Sequence, residues 1–114
     1  MDDLTIVRRT NGRFKSCSPH LKLELKGNRF LLNDSAAKLT KLKHDQGVMF
    51  GFNYKNEKAF LFEDNEPDSF VLRNKSKQDL GLRFTSKDLA THFMDCFKLD
   101  GDKPCYYFEV EADD

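Results

Sequence analysis

The chain has no tryptophan, three cysteines and three prolines in 114 residues, and no net charge. Each scarcity narrows the possibilities. Without Trp, the bulky core material has to come from eleven phenylalanines, in a composition that is 39% hydrophobic. That suffices for one core, so residues 1–114 are expected to form a single domain, or two small halves sharing that core. Cys17, Cys96 and Cys105 are odd in number and lack the spacing of a disulfide framework, which suits free thiols in a reducing compartment. No run of about 18 apolar residues occurs, so no transmembrane helix is expected. The opening MDDLTIVRR is acidic where a secretory signal is basic, and it holds no apolar core stretch. A cytoplasmic protein without membrane contact is the expectation.

The motifs of common chemistries are also missing. There is no G-x-S-x-G, no P-loop and no G-x-G-x-x-G. His92 and Asp95 lie one helical turn apart and His44 precedes Asp45, but neither pair comes with a placed nucleophile. Cys17-x-x-His20 is the best metal fragment; Cys96 and Cys105, nine apart, make a poor second pair for zinc. Neither an enzyme nor a metal or other cofactor is expected.

What is present is a clear alternation of strand and helix signals. LTIVR (4–8) is β-rich, and Asn11-Gly12 is the favoured pair for a type I′ turn, which predicts a basic hairpin over 4–15. HLKLELK (20–26) alternates strictly, with Leu21, Leu23 and Leu25 on one face. Phe30–Leu32 form a strand, with Asn33, Asp34 or Ser35 capping a helix whose stripe is Ala36, Leu39 and Leu42. GVMFGFNY and KAFLFE read as a β-hairpin, with Gly47 ending a turn and Gly51 packed close to a neighbour. SFVLR (69–73) and LGLRF (80–84) are further strands. Thr85-x-x-Asp88 is a capping-box pattern, ahead of a helix bearing Leu89, Phe93, Cys96 and Phe97 at i, i+4, i+7 and i+8. PCYYFEVE is the last strand.

RFLLNDSAAKLTKLKHDQGVMFGF (29–52) and LRFTSKDLATHFMDCFKLDGDKPCYYFEV (82–110) thus share a strand–helix–strand order. The expected fold is mainly β with two short α-helices, a β-barrel or curled sheet built from internal modules near 20–66 and 67–114. Leu42, Phe50, Phe52, Leu89 and Phe93 are expected in its core.

The first module resembles the SpoVT/AbrB family of swapped-hairpin DNA-binding domains, which includes MazE-type antitoxins. Arg29-Phe30-Leu31-Leu32-Asn33 is similar to the family's G-R-[IV]-x-[IL]-P. Leu39, Leu42 and Val48 are similar to L-G-[IL]-x-x-G-D-x-V, and VMFGFNYKNEKAFLF to its hairpin. The match spans residues 26 to 63, a third of the chain. Asn28 stands for the family's Gly, Asn33 for its Pro and Asp45-Gln46 for its Gly-Asp; the second copy lacks the return hairpin. The resemblance implies a barrel of two interleaved modules, here closed by one chain as a pseudo-dimer. It also implies a small DNA-binding transcriptional regulator of bacterial or phage origin, monomeric or homodimeric.

Charge is divided. Residues 1–44 carry ten Lys/Arg against four Asp/Glu, and residues 45–114 carry nine against fifteen, a +6 and a −6 half. Double-stranded DNA is therefore the expected partner of the basic half, through Arg8, Arg9, Arg13, Lys15, Lys22, Lys26 and Arg29, with arginines of a twisted ribbon reading guanine in the major groove. The competing reading is an ordinary solvated hairpin, since Arg and Lys are common edge residues. FEDNEPD and FEVEADD in the acidic half either dock a protein partner or serve solubility. A protein-interaction or assembly module, such as a phage accessory protein, is the alternative function.

Overall fold

The computed structural model describes residues 5–9, 18–74 and 81–112. Its architecture is mainly β: nine antiparallel strands in one nearly closed, barrel-like sheet, with two short helices. In chain order the elements are β1 (Thr5–Arg9), β2 (His20–Glu24), β3 (Arg29–Leu32), α1 (Asp34–Thr40), β4 (Gly47–Asn53) and β5 (Lys58–Glu63). They continue with β6 (Phe70–Val71), β7 (Arg73–Asn74), β8 (Leu82–Thr85), α2 (Lys87–Cys96) and β9 (Cys105–Ala112).

The sheet order is β6-β4-β5-β1-β9-β2-β3-β8-β7, so the two ends of the sheet are consecutive pieces of one segment. Phe70 and Val71 pair with β4, while Arg73 and Asn74 pair with β8. Leu72, fully buried between them, donates its N–H to the Gln46 carbonyl (2.9 Å) and accepts from the Asp45 N–H (2.8 Å). Residues 70–74 therefore close the ring and leave few ladder groups without partners. Gly47 makes this seam possible. A Cβ there would lie 2.2 Å from the Asp64 carbonyl oxygen and 2.4 Å from Ser69 Oγ.

The neighbour relations repeat. Exchanging β2 with β6–β7, β3 with β8, α1 with α2, β4 with β9 and β5 with β1 reproduces the ring. The return strand that the second module lacks in sequence is supplied by β1, which pairs with β9 as β5 pairs with β4. Phe30 and Phe84 face each other at the centre of the β3–β8 ladder.

The core is phenylalanine-rich because the barrel has to be filled without Trp. Phe93 projects from α2 among Phe30 (5.0 Å between ring centroids), Phe108 (5.2 Å), Phe52 (5.4 Å), Phe97 (5.4 Å) and Phe50 (5.6 Å). Such offset and edge-to-face contacts add about 0.5–1.5 kcal/mol each to the burial itself. Leu89 and Phe93 are buried, and Leu42, Phe50 and Phe52 pack against the core while half-exposed.

Several local expectations need correction. Leu25 leaves the β2 alternation for a single 3-10 turn (Leu25–Gly27), since its N–H is drawn to the Pro104 carbonyl and Asn28 takes a left-handed φ of 50°. Helix α1 buries Ala36 and Ala37, not Leu39, which stays 36% exposed. Asn33 is its cap, accepting from the Ala36 N–H, and this phase sets two small residues against the sheet. Ser86, not Thr85, caps α2, because Thr85 is committed to the ladder opposite Arg29. Gly51 is not closely packed; nothing lies within 4 Å of a Cβ built there. Among the described residues, no helix is long and apolar enough to cross a membrane.

Candidate functional site

Alternation in β2, β3 and β8 sends Leu21, Leu23, Phe30, Leu32, Leu82 and Phe84 into the core and their neighbours outward. The outward set is rich in cations. Ladder pairing lines up Tyr107, Lys22, Leu31, Arg83 and Arg73 across five strands. The next outward row is Glu24, Arg29 and Thr85. Arg29 and Arg83 each directly precede one phenylalanine of the facing Phe30–Phe84 pair. They are thus equivalent positions of the two modules, on diagonally opposed sites of the ladder, within about 7–8 Å of each other.

Their immediate partners differ. Arg29 lies opposite Glu24, with Nε 3.6 Å from its Oε1. Arg83, at the equivalent place, lies opposite Arg73. Arg73 is bonded to Asp45, which also lies 3.5 Å from His44 Nε2. His44 Nδ1 accepts the Asn74 N–H (3.0 Å), so its Nε2 faces Asp45 as the other ring nitrogen. Lys22 is 3.3 Å from Glu24 and 5.7 Å from the Tyr107 ring centroid. Partial burial lowers the Lys22 pKa, but the hydrogen bond it donates to Glu24 and the fields of Tyr107, Glu24 and Cys105 outweigh it, leaving it above its ordinary 10.5.

Two clefts open on this face. One of ≈ 650 Å³ is lined by Arg29, Arg73, Arg83, Ser69 and Thr85, beside Phe70, Val71 and Phe84. The other, ≈ 480 Å³, has Lys22, Arg29 and Arg83 but also Glu24 and Asp34 in its lining. Arg29 and Arg83 border both.

The seven residues singled out from sequence separate into groups. Lys22 and Arg29 share the face just described, and Lys26 is exposed on the turn that joins their strands. Arg8 and Arg9 lie elsewhere, on β1, two strands along the wall from Lys22 and three from Arg29, about 10 and 14 Å at ordinary strand spacing. β1 is bonded on one side to β5 and on the other to β9, so Thr5–Arg8 have no free edge for a protruding ribbon. Arg8 is 3.8 Å from Glu111, and Arg9 lies 6.0 Å above the Tyr106 ring. Arg13 and Lys15, the Asn11-Gly12 turn and Cys17 lie outside the described residues.

Arg73, Arg83, Ser69 and Thr85 escaped the sequence reading. The signal that could have found Arg83 is the dipeptide Arg-Phe, present at the same place in both modules. Elsewhere the chemistry is sparse. Cys96 is buried in α2, with its Sγ donating toward the carbonyls of Lys58 (3.5 Å) and Asn53 (3.7 Å). Burial, then the nearby Glu57 charge, pushes its thiol pKa up, which makes it inert. Tyr54 and His92 share a hydrogen bond of 2.9 Å on the surface. Among the described residues no group of three or more His, Cys, Asp or Glu is placed to hold a metal.

Compared with known proteins, the chain matches no family model, no curated protein and no solved structure.

Proposed function

We propose that this chain is a non-enzymatic nucleic-acid-binding domain, a small DNA-binding transcriptional regulator of bacterial or phage origin that works in the cytoplasm. The observation that carries the reading is the placement of Arg29 and Arg83. They are equivalent residues of two modules, pointing outward on either side of the Phe30–Phe84 pair, with Lys22 and Arg73 continuing the row. Proteins with a two-fold arrangement of reading elements use it against the matching two-fold of duplex DNA. Guanidinium groups suit this role because they bond phosphate or guanine in a bidentate way. The resemblance of residues 26–63 to swapped-hairpin domains supports the same conclusion, and so does the interleaved ring of two modules.

The acidic side fits a one-sided approach. Glu109 and Glu111 are exposed on β9, one strand beyond Lys22 at the edge of the cationic face, and would repel a duplex that extended over that side. Those same carboxylates favour the second reading, a protein-interaction or assembly module that docks a basic partner. A gel-shift assay separates the two. Duplex DNA at low salt should bind the natural chain, and Arg29→Gln with Arg83→Gln together should abolish the shift. No shift with any duplex or RNA would put the interaction module first.

A further inference from the structure

The larger cleft has an unusual charge inventory. Its lining holds three arginines and the hydroxyls of Ser69 and Thr85, and no carboxylate. Arg73 and Arg83 sit directly opposite each other on antiparallel strands, a like-charge arrangement that ordinarily destabilises a sheet. The equivalent place in the first module holds the favourable pair Glu24 and Arg29. Arg83 has no ion-pair partner among the described residues, whereas Arg29 keeps Glu24 and Arg73 keeps Asp45. A cluster of guanidiniums left short of negative charge, flanked by two hydroxyl donors, has the composition of an oxyanion seat.

We infer that the Arg29–Arg73–Arg83 cleft holds one phosphate group. Under the nucleic-acid reading, on which this step rests for its source, the group is a backbone phosphodiester. A free phosphate monoester shares the chemistry. Asp45 occupies Arg73 until the anion arrives and so acts as an internal competitor. The seat also breaks the symmetry of the face: phosphate is anchored on the Arg73–Arg83 side, and the Glu24 side carries a carboxylate that phosphate avoids. A duplex would therefore bind in one preferred direction.

The test uses the full chain, with two titrants followed by amide NMR: inorganic phosphate, and a short DNA duplex. Phosphate should shift the amides of Ser69, Arg83 and Thr85. Arg83→Gln should weaken phosphate at least tenfold. Asp45→Asn, which releases Arg73, should tighten it several-fold, a gain that misfolding cannot mimic. Lys98→Gln, at a residue paired with Glu57 away from the cleft, should change nothing. Duplex affinity should follow the same order. If Arg83→Gln weakens duplex binding but inorganic phosphate leaves the cleft amides unmoved and Asp45→Asn tightens neither titrant, the seat is wrong and the nucleic-acid reading survives. If phosphate follows the order and duplex does not bind, the seat stands with a monoester as its ligand and the nucleic-acid reading fails. If neither titrant shifts the cleft amides, the seat is wrong.

Discussion

Phe30 and Phe84 face each other across the β3–β8 ladder, their rings 5.0 Å apart and within 7° of parallel. The two residues occupy the same place in the two modules. Inward, they meet Phe93 and Phe50 in the core; outward, the residue before each is an arginine. One ladder thus joins the packing of the barrel to its charged face.

Phe93 is the residue most dependent on this packing, being fully buried among five other rings. Phe93→Ala should cost about 3–5 kcal/mol in urea unfolding. A loss below about 1 kcal/mol would show that α2 does not fill the barrel.

The repeat leads to a connectivity test. Thr5 and Ala112 are ladder partners in β1 and β9, just as Lys58 and Asn53 are in β5 and β4. A circular permutant that joins residues 113–114 to residues 1–4 and opens the chain between Lys55 and Asn56 should fold and unfold cooperatively. Residues 1–66 and 67–114 made separately should not, because each leaves an apolar face and strand edges uncovered. A cooperative monomeric half would contradict the shared core.

Gly47 and Gly51 should respond differently to alanine. Gly47→Ala drives a methyl group into the Asp64 carbonyl at the closing seam and should cost about 1–3 kcal/mol by denaturant titration. Gly51→Ala meets open space and should stay within about 0.5 kcal/mol of neutral. Equal losses would mean that the seam is not strained by a side chain.

The loop before β9 carries an acid-labile contribution. The Tyr106 hydroxyl is 3.2 Å from Asp100 and 3.1 Å from Asp102. Hydrogen bonding involving Asp102, then the loop backbone and Tyr106, holds the Asp100 carboxyl below its ordinary 3.8. A lowered folded-state pKa stabilises above the unfolded value of about 3.9 and is lost as pH falls through the folded one. Asp100→Asn should therefore melt below the natural chain at neutral pH, and the gap should close as pH falls well below 4. A gap that persists in strong acid would assign the effect to packing.

Much of this fold was legible residue by residue. HLKLE alternates because one face of β2 is core, and Leu89, Phe93, Cys96 and Phe97 keep helical spacing because α2 buries one stripe. Such patterns report burial, and burial survives in sequence. What could not be read is long-range pairing. Nothing local tells that Thr5–Arg9 pairs with β5 and β9, or that Leu72 bridges the two ends of the sheet. The charged face was half legible for the same reason. Lys22 and Arg29 stood in the basic half, but Arg73 and Arg83 belong to the acidic one, and only the ladder brings the four together.

The central claim is that Lys22, Arg29, Arg73 and Arg83 form the face that meets duplex nucleic acid. Its most direct measurement is the salt dependence of duplex affinity for the full chain. Each phosphate neutralised contributes about −0.9 to the slope of log affinity against log salt, so four cations allow a slope of up to about −3.6. Arg83→Gln should flatten the slope by about 1; Lys103→Gln, in the acidic half, should leave it alone. Binding that does not respond to salt, or no binding near ~50 mM salt where phosphate contacts are strong, would contradict the claim.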